Sequence, residues 1–136
     1  MGAWGYEPMD DDTALDWLAN EVEAPLLAAI SKTLQAYMDQ TEKDDVKTTE
    51  AIAAAALLVD LIGDHTKMKY TQFHNGYLGH EAKEADLCLL AARVIEKIME
   101  QERDWLSNWN DPEKKVQVLK LLVSDLQQIK AANKNR

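Results

Sequence analysis

Residues 51–59 read Ala51-Ile52-Ala53-Ala54-Ala55-Ala56-Leu57-Leu58-Val59, a run without one polar side chain and without glycine or proline. A helix that is apolar on every side belongs inside a protein, where each face meets another element. The flanks extend this helix from about Thr48 to Ile62. Gly63, just past the last periodic residue, suits the left-handed conformation that ends helices. Alanines let neighbouring helices approach closely, and the run is too short to cross the ~30 Å of bilayer hydrocarbon. The stretch therefore predicts a central, buried helix with the rest of the chain packed around it.

Helical spacing also dominates on both sides of it, and no segment alternates apolar and polar residues between turn residues as a strand would. A short first helix is predicted to start near Asp11 or Asp12, to carry Leu15, Leu18 and Val22 on one face, and to stop before Pro25. The second puts Leu26, Leu27, Ile30, Leu34, Tyr37 and Met38 on one face and fades into an acidic connection over residues 39–45. A fourth runs from about Glu81 to Glu102, with room to extend through Trp105 and Leu106, and turns Leu87, Leu90, Ala91, Val94, Ile95, Ile98 and Met99 inward. Asp111 caps the last helix, Pro112 takes its first position, and Val116, Leu119, Leu122, Val123, Leu126 and Ile129 pack inward. Residues 131–136 are expected to fray. Residues 64–79 are the longest stretch without a helical pattern, and long loops in compact domains are often functional. The expected fold is all-α: one domain over residues 1–136, a compact bundle of about five helices with a non-helical arm, residues 1–10, docked on it.

Charge narrows the function. Fifteen Lys and Arg stand against 24 Asp and Glu, a net charge of −9. Residues 1–45 hold eleven acids and two bases, so they carry the whole −9, and the other 91 residues balance at thirteen of each sign. Such a field repels nucleic-acid phosphates and anionic lipid, so neither direct nucleic-acid binding nor a membrane role is expected. It attracts a basic protein and speeds the encounter; a solvated surface that keeps the domain soluble is the plainer reading of the same charges. Cys88 is the single cysteine, so no disulfide can form within the chain. The start lacks the basic and apolar segments of a signal peptide, and a cytoplasmic location is expected.

The opening, Gly2-Ala3-Trp4-Gly5-Tyr6-Glu7-Pro8-Met9-Asp10-Asp11-Asp12-Thr13-Ala14-Leu15-Asp16-Trp17-Leu18, combines a tight arm around Trp4 with carboxylates at a helix start, where they meet unpaired N–H groups and the positive end of the dipole. This stretch resembles the opening of a bacterial family called domain of unknown function 4259, whose members typically read Gly-Ala-Trp-Gly, an acidic cluster, then Ala-Leu-Asp-Trp. The alanine-rich helix at 51–62, the helix near 84–99 and the Trp-containing segment 105–109 are similar to that family as well. Glu7 and Met9 depart from it, where Gly and Phe are common. The resemblance implies no activity. It does imply a small cytosolic protein comparable in size to bacterial toxin inhibitors.

Candidate chemistry is sparse. Asp10, Asp11, Asp12 and Asp16 suit a hard cation, but they lack an Asp-x-Asp-x-Asp-Gly loop with its closing Glu, so capping and solvation account for them. Asp16 has a further use, orienting an indole N–H or an arm amide. His80, Glu84 and Cys88 recur every four residues along one helix face, with His74 just before them. That is the sharpest zinc-like pattern present. It is not a His-Glu-x-x-His motif, and a lone Cys88 beside the Leu87–Leu90 stripe behaves as a small hydrophobe. Trp4, Trp17, Trp105 and Trp109 are read as clamps for the arm and the last two helices, which leaves Tyr70, Phe73 and Tyr77 as the exposed aromatic contacts. No phosphate loop, nucleophilic triad or dinucleotide fingerprint is present, and no cofactor is expected.

These readings favour a non-enzymatic protein-binding or immunity-type inhibitor acting on a basic protein through Asp10, Asp11, Asp12 and Asp16 together with Tyr70, Phe73 and Tyr77. The alternatives are a metal or small-ligand site over residues 64–88, with His74, His80, Glu84 and Cys88 as ligands, and a structural homo-oligomeric subunit. The chain is expected as a monomer or a homodimer.

Overall fold

The computed structural model describes residues 8, 12–21, 26–40, 44–62, 83–107, 109 and 111–134. They form six helices and no strand: α1 (Asp12–Glu21), α2 (Leu26–Asp39), α3 (Asp45–Ile62), α4 (Lys83–Gln101), α5 (Arg103–Ser107) and α6 (Pro112–Lys134). The sixth arises because the predicted fourth helix breaks at Glu102. Helical bonding still continues through the break, since the Glu102 N–H donates to the Ile98 carbonyl and the Glu102 carbonyl accepts from the Leu106 N–H, each at 2.9 Å. The chain therefore passes from α4 to α5 there without forming a loop.

Helix α3 is the centre, as its composition requires: residues 51–59 are all buried. Helices α1, α2, α4 and α6 all pack on it, and α4 and α6 also pack along each other. Helix α3 begins three residues earlier than the apolar pattern suggests, because Asp44 caps it. The Asp44 carboxylate accepts from the Val46 N–H at 2.9 Å, which satisfies a backbone donor that the first helical turn leaves free. Asp111 caps α6 in the predicted way, its carboxylate accepting from the Lys114 N–H at 3.2 Å. Helix α6 runs to Lys134, so residues 131–134 continue it.

The described inward faces of α2, α4 and α6 match their periodicity, and the side chains of Leu26, Leu27 and Ile129 lie outside the described residues. Ile30, Leu34 and Tyr37, then Ala91, Val94, Ile95 and Ile98, then Leu119, Leu122, Val123 and Leu126 are buried, with Met38, Leu87, Leu90, Met99 and Val116 partly buried against them. Helix α1 differs. It buries Ala14 and Trp17, while Leu15 is 41% exposed. Of the expected Leu15–Leu18–Val22 stripe, Leu15 is not buried, and the side chains of Leu18 and Val22 lie outside the described residues; Trp17 takes the inner face because it has far more apolar surface to remove from water and also a polar tip to satisfy. That tip, Nε1, donates to Thr33 Oγ1 of α2 at 2.9 Å.

Candidate functional site

On α1 the face opposite the buried Trp17 is turned outward. Asp12, Leu15, Asp16 and Ala19, spaced at i, i+3, i+4 and i+7, are all exposed, so they form one stripe on the helix surface. Two of the four predicted partner-binding carboxylates, Asp12 and Asp16, are thus on the surface, with an apolar side chain between them. Asp16 does not orient the Trp17 indole, whose N–H goes to Thr33. Asp10, Asp11, Tyr70, Phe73 and Tyr77 lie outside the described residues, as does the arm except for Pro8, which is buried.

Of the zinc-like set, His74 and His80 lie outside the described residues, and Glu84 lies in α4. Cys88 is 1% exposed and belongs to the hydrophobic core, where a thiol is shielded from solvent and behaves as an apolar group. Among the described residues no three His, Cys, Asp or Glu side chains gather into a metal site.

The most polar part of the interior was not anticipated from the sequence. On α4 the core line runs Cys88, Ala91, Ile95, Ile98 and then reaches Glu102, which is only 5% exposed; on α6 the line Leu126, Leu122, Leu119 leads back to Lys115, 3% exposed. Each charge occupies a position that helical spacing assigns to the core, and that spacing is the sign by which both could have been found. Glu102 Oε1 accepts the Tyr37 hydroxyl hydrogen at 3.3 Å. Burial and the neighbouring Glu102 carboxylate both disfavour the phenolate and push the Tyr37 pKa well above its ordinary value. Lys97 Nζ lies 5.9 Å from the centre of the same ring. Lys115 Nζ lies 4.4 Å from the Trp109 ring centre and 5.9 Å from that of Trp105. The two indoles meet edge to face, 5.8 Å apart at 72°. A phenol held protonated and a Lys115 amine against two π faces tie α2, α4, α5 and α6 together. This agrees with the reading of Trp105 and Trp109 as anchors of the last two helices.

Between α5 and the start of α6 lies an open groove of ≈ 430 Å³, lined by Arg103, Leu106, Pro112, Glu113, Val116 and Lys120 among others.

Fold and site together define a helical-bundle protein with an acidic outer helix and, among the described residues, no assembled metal site. The family model of a domain of unknown function, DUF4259, matches residues 2–120 of the 136, and the chain belongs to that family. Searches of curated proteins and of solved structures found no match. No helix among the described residues is long and apolar enough to cross a membrane.

Proposed function

We propose that this protein is a non-enzymatic binding module of the immunity type, which neutralises a basic protein partner through its acidic N-terminal third, works in a reducing bacterial cytosol and needs no cofactor. The observation that carries the reading is the outer stripe of α1, where Leu15 stands exposed between Asp12 and Asp16. An apolar anchor ringed by charge is how small interfaces combine affinity with steering: the anchor is desolvated on docking, and the charges accelerate the encounter. The −9 confined to residues 1–45 gives that stripe a favourable field for a cationic surface.

The test is capture of partners by tag-free protein from lysate of the native host at low and at high salt, with the eluate identified by mass spectrometry and the interaction then measured with purified components. A basic protein retained at low salt, with an association rate that falls steeply as salt rises, is the expected result. Asp12→Asn with Asp16→Asn should slow association about tenfold or more at low salt. Binding indifferent both to salt and to this pair of substitutions would remove the electrostatic basis of the reading.

A further inference from the structure

The groove between α5 and α6 is not used by the reading above. Leu106 is buried and Val116 half-buried, which gives the groove an apolar floor continued by Pro112. Arg103 and Lys120 are exposed along it, against the single carboxylate of Glu113. Glu113 sits in the first turn of α6, where the helix dipole favours it and offsets its negative field. The outer stripe of α1 is the inverse of this surface, an apolar Leu15 between two carboxylates. Both surfaces are exposed in the single chain, α1 packing on α3 while α5 packs on α4 and α6, so neither fills the other.

We infer that the groove receives the α1 stripe of a second copy of this chain. Leu15 of one copy enters the ≈ 430 Å³ groove of the other, and Asp12 and Asp16 face Arg103 and Lys120. A two-fold axis makes the contact reciprocal, so the pair closes as a dimer with two such contacts and leaves no unpaired end. The inference goes beyond the proposed function, which concerns a different partner, and it makes a second copy and the basic partner competitors for one face.

The test uses the purified full-length chain alone, by sedimentation velocity. The expected result is a dimer at about 20 mM salt whose dissociation constant rises at least about tenfold by about 500 mM, because the Debye length shortens across that range. D12K/D16K and R103E/K120E should each be monomeric, and an equimolar mixture should dimerise again, since both contacts of the mixed pair then join opposite charges. Should D12K/D16K prove unfolded by circular dichroism, Leu15→Ser, which keeps every charge, replaces it and is expected to be monomeric. A wild-type chain monomeric at every salt, a dimer that survives in either charge-reversed variant, or a mixture that stays monomeric would overturn the inference. Failure here is separable from failure of the partner reading, because R103E/K120E keeps the α1 stripe intact and should still bind a basic partner.

Discussion

Tyr37 and Glu102 are 65 positions apart in sequence, yet the phenol of one donates to the buried carboxylate of the other at 3.3 Å. The bond ties α2 to the junction of α4 and α5. Tyr37→Phe removes only the hydroxyl and should cost about 1–3 kcal/mol, the range for withdrawing a donor from a buried acceptor. A double-mutant cycle with Glu102→Gln checks it by denaturant unfolding: a coupling of at least about 0.5 kcal/mol is expected, and additive effects would mean the two groups do not interact in solution.

The same pair sets a pH dependence. The folded-state pKa of Tyr37 is raised, so above the ordinary tyrosine value of about 10 the unfolded chain loses this proton while the folded chain keeps it. The unfolded state then binds fewer protons, and stability falls as pH rises, by up to about 1.4 kcal/mol per pH unit until the folded phenol itself ionises. This contribution is fully present below about pH 10. Ultraviolet titration of folded wild type and Tyr37→Phe should give the same phenolate amplitude up to the onset of alkaline unfolding; a larger amplitude in the wild type would show that Tyr37 ionises freely.

Lys115 is buried against two indoles, so its charge sign matters more than its size. Lys115→Glu places a carboxylate against the negative faces of Trp105 and Trp109 and should cost about 3–5 kcal/mol. Lys115→Met keeps the stem and is expected to stay within about 1 kcal/mol, since the lost cation–π attraction is offset by the relief of desolvation. Thermal melts of the two variants distinguish them, and equal midpoints would mean that the ammonium has no electrostatic role there.

Close packing around α3 depends on its alanines. Ala54 is fully buried, and Ala54→Leu should cost about 1–3 kcal/mol by overpacking. Leu58, equally buried, should cost about 2–5 kcal/mol as Leu58→Ala through the cavity left behind. Urea midpoints measure both. A neutral Ala54→Leu would indicate spare volume beside α3.

The two helix caps give smaller effects with a local signature. Asp44→Ala and Asp111→Ala should each cost about 0.5–2 kcal/mol. Amide exchange should rise mainly in the first turn of α3 for one and of α6 for the other, and a uniform rise along the chain would argue against a capping role.

Much of this architecture was legible before any coordinate. Residues 51–59 have no polar atom to present to water, so that helix could only be central; the apolar stripes of α2, α4 and α6 likewise name their own inner faces, because a period of 3.6 is written in side-chain chemistry. The Asp111-Pro112 start of α6 was legible for the same local reason. Of the candidate site, the carboxylates Asp12 and Asp16 were readable as charge. What the tertiary structure alone decided were the choices between competing local options. Helix α1 could have buried Leu15, and buries Trp17 because α2 offers the indole Thr33 as well as an apolar bed. Glu102 and Lys115 look like ordinary surface charges one residue at a time, and they are interior because the lines they continue are sealed by Tyr37 on one side and by Trp105 and Trp109 on the other. Periodicity states which face of a helix is apolar; which neighbours close over its ends depends on contacts between residues far apart in the chain, and those exist only once the bundle has assembled.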